Sequence, residues 1–207
     1  MHGPRLCIVP PLPSHAARRR AAALAGHDDD PGAARRLLAD PDPSVRATAL
    51  AALARLGSLA ADEIRAAIHD PAPAVRRRAC EVAARTAPAA GEVATALDDA
   101  DATVVETAAW ALGELGAGQA VTLLAEVAGG HDDALCREAA VAALGAIGDV
   151  AGLPAVLAAC RDRATVRRRA VIALAAFEGP EVDAALRTAL DDRDWQVRQA
   201  AEDLLRD

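Results

Sequence analysis

Asp40–Gly57 reads DPDPSVRATALAALARLG, and this stretch decides the fold. Asp42 stands where a side-chain oxygen can cap a helix, and Pro43 follows at the first helical position, where its missing N–H costs nothing. Val45, Ala49, Ala52, Leu53 and Leu56 then fall on one face at helical spacing, and Gly57 is placed to end the helix. Aligned on Ala49, the pattern returns at Ala79, Ala108, Ala140, Ala170 and Ala201, every 29 to 32 residues. A fixed period in that range is the signature of a solenoid. After each long helix a shorter one is predicted, first over about 60–69, burying Ile64 and Ile68, with Asp70-Pro71 turning the chain into the next copy. The same logic places short helices near 31–39, 89–98, 118–128, 150–160 and 180–190. A helix over Ser14 to Ala25 reads as a degenerate half-repeat that caps the array. The expectation is an all-α chain, a right-handed α-solenoid of about six helix pairs forming one array over 14–207, with residues 1–13 a disordered tail.

Composition agrees. Hydrophobic residues are 53% of the chain, much of that alanine, and aromatics only 1%. So few large side chains suit closely stacked helices and leave too little for a β-sandwich. No apolar run reaches the length of about 18 residues that a membrane span needs, so no membrane association is expected. The opening MHGPRLCIVPPLP is too short in apolar residues for a secretory signal. Cys7, Cys80, Cys136 and Cys160 lack CxxC spacing and read as free thiols of a cytoplasmic protein. A net charge of −7 argues against general affinity for nucleic acid.

The core D…VR..A..AL..(I/L)G, here Asp40, Val45, Arg46, Ala49, Leu53, Leu56 and Gly57, resembles HEAT-like repeats of the phycobilisome-lyase type. The resemblance covers nearly all the chain beyond residue 30 and implies a scaffold. Some similar proteins are enzymes. Deoxyhypusine hydroxylases hold two irons with His-Glu pairs, but none of His2, His15, His27, His69 and His131 precedes a Glu. Bilin lyases need an aromatic-lined cavity, and three aromatic residues in 207 are few to build one. Alkylpurine DNA glycosylases of this type use a basic concave face, which the acidic balance opposes. The expectation is therefore a monomeric, non-catalytic scaffold or adaptor for a protein or peptide partner, with no cofactor and no metal. The alternative is an enzyme or enzyme accessory of the bilin-lyase or hydroxylase lineage.

Asp40/Arg46, Asp70/Arg76, Asp132/Arg137, Asp162/Arg167 and Asp192/Arg198 recur at five or six residues. A residue pair repeated in nearly every copy is expected to be a structural ladder tying turn to helix between neighbouring copies, with the bidentate fit of guanidinium to carboxylate. One copy breaks it: in VVETAAWALGELG, Val105 replaces the arginine. The same copy carries Glu106, Trp110 and Glu114, four residues apart and hence on one helical face. Arg77, Glu81 and Arg85 are their expected neighbours in the preceding copy. Shared residues build the frame of a repeat protein and divergent ones carry specificity, so Trp110, Glu106, Glu114, Arg77, Arg85 and Glu81 form the candidate partner-binding set. Trp195, at the start of the last long helix, is expected to pack on the preceding repeat.

Overall fold

The computed structural model describes residues 13–85 and 90–206; the expected N-terminal tail, with Cys7, lies outside them apart from Pro13. The chain divides into two units, one ending at Ser58 and one beginning at Leu59.

The first unit holds α1 (His15–Ala25), α2 (Pro31–Arg36), which continues as a 3₁₀ turn over Leu37–Ala39, and α3 (Pro43–Arg55). Ser14 caps α1 by accepting from the Ala17 amide, and Asp42 caps α3 by accepting from Ser44, with Pro43 in the first turn. Ala22, Val45 and Ala49 are fully buried against Leu37 and Leu38. Leu56 lies just past the helix, and Gly57 leaves it at φ +61°, a conformation in which a Cβ would be strained.

The second unit repeats one short and one long helix: α4 (Ala61–Ile68) and α5 (Pro73–Ala83), α6 (Ala90–Thr95) and α7 (Ala102–Glu114), α8 (Val121–Gly130) and α9 (Ala134–Ile147), α10 (Leu153–Ala159) and α11 (Ala164–Ala173), α12 (Pro180–Ala189) and α13 (Trp195–Leu204). No strand occurs among the described residues, and the all-α solenoid expected from the repeat is what forms. Asp101, Asp133 and Asp194 cap α7, α9 and α13 through the amides of Thr103, Leu135 and Gln196. The aligned alanines Ala79, Ala108, Ala140, Ala170 and Ala201 are wholly buried, each near a buried Val or Cys four residues earlier (Val75, Val104, Cys136, Val166, Val197).

At two of their crossings the long helices pack so closely that a glycine has no room for a Cβ. A Cβ on Gly113 of α7 would stand 2.9 Å from the Ala143 Cα of α9, and one on Gly145 would stand 2.7 Å from the Ala173 Cβ of α11. Small residues at these crossings are what an alanine-rich sequence provides.

The Asp/Arg ladder is present and ties turn to helix between neighbouring copies as expected, while the Asp and Arg of one copy meet through the aspartate's backbone carbonyl. Within its own copy each arginine bonds backbone, not carboxylate: Nη1 donates to the Asp40 carbonyl from Arg46 (2.8 Å), to Asp70 from Arg76 (2.9 Å), to Asp162 from Arg167 (2.8 Å) and to Asp192 from Arg198 (2.8 Å). The carboxylate each Arg grips belongs to the turn that follows. Arg18 pairs with Asp40, Arg76 with Asp99, Arg137 with Asp162 and Arg167 with Asp192, each through two N–H groups at 2.6 to 3.1 Å. The same carboxylates accept a backbone amide of their own turn: Asp101 N donates to Asp99 and Asp194 N to Asp192. One guanidinium thus joins two successive inter-helix turns. The basic runs starting at Arg18, Arg76 and Arg167 each begin with a ladder arginine.

These bonds hold the carboxyls of Asp99, Asp162 and Asp192 below the usual carboxylate range, chiefly through the hydrogen bonds from Arg76, Arg137 and Arg167, against the opposing effect of burial. A folded-state pKa lowered below the unfolded value, about 3.9 for Asp, adds stability above that value and loses it as pH falls through the folded one. The thermal midpoint should therefore hold steady near neutrality and fall below about pH 4, with Asp192→Asn showing a shallower fall. A wild-type midpoint unchanged down to pH 3 would contradict the ladder's contribution.

Candidate functional site

The break at Val105 is matched in the following turn. Val105 takes the ladder position on α7 and is fully buried. The turn residue that would receive an arginine there is His131, six residues before Arg137 as Asp40 is before Arg46 and Asp192 before Arg198. Its Nδ1 accepts from the Asp133 amide at 3.0 Å, the place taken elsewhere by a carboxylate oxygen, which puts the ring proton on Nε2. A cation and its anion have been replaced together, by an apolar side chain and a neutral acceptor. The sequence shows Val105 but suggests Asp132 for the ladder; the six-residue spacing of Asp40/Arg46, Asp70/Arg76 and Asp192/Arg198 is the signal that points to His131. Arg137 Nη1 bonds the carbonyls of both His131 (2.6 Å) and Asp132 (3.0 Å).

Glu106, Trp110 and Glu114 do share one face of α7, together with Gly113 lining one cleft of about 430 Å³. Its other wall is α9, through Leu135, Glu138, Ala139, Ala142, Ala143 and Ala146, and Arg169 of α11 closes one end. Trp110 is 45% exposed. It lies over the small-residue crossing of α7 and α9 without being buried by it. Arg169 Nη2 stands 3.3 Å from Glu138, an ion pair at the edge of the cleft. Neither Glu106 nor Glu114 has a side-chain hydrogen bond or ion pair among the described residues.

The three candidates on the α5 side do not line this cleft. Arg77 and Glu81 pair with each other at 3.1 Å along α5, Arg78 joins Glu81 at 2.5 Å, and Arg85 is exposed beyond the helix end. Trp110 opens toward α9, so the residues gathered around it are Glu138, which the sequence already groups with Glu106 and Glu114, and Leu135 and Arg169, which it does not place there. Trp195 is 64% exposed, far more than the expected packing role requires, and lines a second cleft with Arg168 and Ile172.

A further cleft of about 500 Å³ lies among α10, α11 and α12 and includes Cys160 and Asp192. Burial pushes the Cys160 thiol up to about 11 and Asp192 is engaged by Arg167, which leaves Glu181 as the unengaged carboxylate of this cleft among the described residues. Cys80 and Cys136 are free and buried, as expected from their positions, with thiols pushed to about 12 and about 11. Among the described residues no three His, Cys, Asp or Glu side chains converge as a metal site, and no helix is long and apolar enough to cross a membrane.

Stacked short and long helices, held by an internal arginine ladder and presenting one divergent face, define an α-helical repeat protein. HEAT repeat models match residues 61–145, 90–169 and 130–206, and a further HEAT repeat match covers 33–60. The chain belongs to the HEAT-repeat family. Among curated proteins no match is found. Solved structures with a similar fold include the complex of CpcE and CpcF of phycocyanin lyase from Nostoc, at TM-score 0.64 and 22% identity over 84% of this chain and 75% of that one. A designed armadillo repeat protein in complex with the peptide (KR)4 aligns at TM-score 0.58 and 16% identity, over 92% of this chain and 97% of that one. Human deoxyhypusine hydroxylase aligns at TM-score 0.50 and 23% identity, covering 93% and 79%. At these identities the likeness is one of fold.

Proposed function

We propose that the protein is a cytoplasmic, monomeric scaffold that binds a partner protein or peptide on the long-helix face of its second unit, without catalysis and without a resident cofactor. One observation carries this reading: Trp110 is 45% exposed in a formed cleft, beside two glutamates that nothing in the described chain engages. A fold gains nothing from leaving an indole half in water. At interfaces such exposed aromatics are the residues most often responsible for affinity. The contact set is Trp110, Glu106 and Glu114 with Glu138 and Leu135, and Arg77 and Arg85 flank it on the α5 side. One structural neighbour, a designed armadillo repeat protein, is in complex with a peptide.

The lyase and hydroxylase neighbours favour a second reading, an enzyme or enzyme accessory. Against it stand the lack of a converging metal-ligand set among the described residues and the burial of the Cys160 thiol, which pushes it away from the thiolate form. A nucleic-acid reading is opposed by Glu106, Glu114 and Glu138 around the cleft, which repel phosphate. Affinity purification of wild type beside Trp110→Ala discriminates. A protein co-purifying with wild type and lost with the variant supports the scaffold; stoichiometric iron or a coloured bound group establishes the enzyme.

A further inference from the structure

The face around Trp110 continues beyond its own cleft. Long helices α7, α9, α11 and α13 expose an apolar residue each on this face: Trp110 (45%), Leu135 (55%), Ile172 (41%) and Trp195 (64%). The clefts between them share walls. Ala142, Ala146 and Arg169 line both the Trp110 cleft and the next, and Ile172 lines both that one and the cleft of Trp195. Together they make one trough running across four helices. Three helix-to-helix steps of about 8–10 Å give a length of about 24–30 Å. An extended chain at about 3.3 Å per residue covers that distance with about eight residues.

Charge distinguishes the two ends. At the Trp110 end three carboxylates, Glu106, Glu114 and Glu138, face one guanidinium, Arg169, which Glu138 already holds. Glu106 and Glu114 lie one turn to either side of the indole, so a cation resting on the ring meets a carboxylate on each side. An indole face flanked by anions is complementary to guanidinium or ammonium, through its ring quadrupole and by direct ion pairing. At the other end the balance differs: Arg168, Gln196 and Gln199 accompany Asp203, and Asp203 is taken by Arg206 and Gln199.

We infer that the trough takes an extended segment of a partner protein that bears Arg or Lys, its cationic side chain seated on Trp110 between Glu106 and Glu114. The inference rests on the partner-binding reading above and adds the chemistry of the partner.

The test is fluorescence anisotropy with labelled eight-residue peptides on the full chain. One peptide alternates arginine with leucine; a second replaces every arginine by citrulline, which keeps the shape and removes the charge; a third carries glutamate. Binding is measured on wild type, Glu106→Gln/Glu114→Gln and Trp110→Ala, with the thermal midpoint of each recorded. The arginine peptide is expected to bind wild type, to weaken about tenfold or more against citrulline and against the double glutamine variant, and to weaken as salt rises. The glutamate peptide is expected not to bind. Equal affinity for arginine and citrulline peptides, both lost in Trp110→Ala, overturns the cationic partner while the docking surface stands. Arginine-peptide binding that persists undiminished in both variants overturns the assignment to this site. Absence of binding by the arginine peptide to folded wild type overturns the inference, and the co-purification experiment above then decides separately whether the surface binds a partner of other chemistry.

Discussion

Val105→Arg is expected to destabilise the second unit by about 3–5 kcal/mol, and His131→Asp in the same chain to restore much of that loss. Val105 is fully buried, and the turn facing it supplies a neutral imidazole nitrogen where Arg76, Arg137 and Arg167 meet a carboxylate. Arginine alone would bury a cation without an anion. With Asp at 131 the carboxylate could accept both the new guanidinium and the Asp133 amide, as Asp99 accepts from Arg76 and Asp101. His131→Asp alone adds a third acidic residue beside Asp132 and Asp133 and should be mildly destabilising. Urea unfolding of the four proteins gives the coupling energy directly. A double variant whose loss equals the sum of the single losses would show that 105 and 131 are not ladder partners.

The second large effect is expected at Arg167. It is 6% exposed, bonds both oxygens of Asp192 at 2.8 Å and donates to the Asp162 carbonyl at 2.8 Å. Arg167→Ala strands a largely buried carboxylate and a turn carbonyl at once, and should cost about 3–5 kcal/mol, the range for removing one partner of a buried pair. Arg167→Lys should recover only part, because one ammonium cannot reproduce the two-pronged bond. Exposed pairs give a contrast within the same molecule. Arg187 and Asp183 on α12 stand 3.7 Å apart with side chains 70% and 60% exposed, and breaking them should change stability by less than about 1 kcal/mol. An Arg167→Ala loss as small as that would show that the ladder is ornament on a frame held by apolar packing alone.

Both expectations follow from features that were legible to different degrees. Helix starts were read from local chemistry, the Asp42-Pro43 pair above all, because capping and proline geometry are decided within four residues. The ladder was visible as a recurrence, yet its pairing was not, since an arginine can reach a turn before it or after it in the stack and only packing selects. His131 escaped because Asp132 and Asp133 beside it looked like the expected acid. Glu106, Trp110 and Glu114 were found together, because a spacing of four puts residues on one face whatever the tertiary context. Which neighbour that face opens toward depends on the tilt of α7 against α5 and α9. α7 approaches α9 closely at Gly113 and Ala143, a contact no spacing rule contains. Hence Leu135 and Arg169 were missed.

The most direct measurement pairs stability with binding in a single variant. Trp110→Ala removes the half-exposed indole and leaves in place Val104, Ala108 and Leu112, the wholly buried residues of the same helix. The account predicts a thermal midpoint close to wild type and loss of partner or arginine-peptide binding. A fall in stability of about 3 kcal/mol or more, the size of a core deletion, with binding retained, would show that Trp110 packs the seam between α7 and α9 and that the long-helix face is not the working surface.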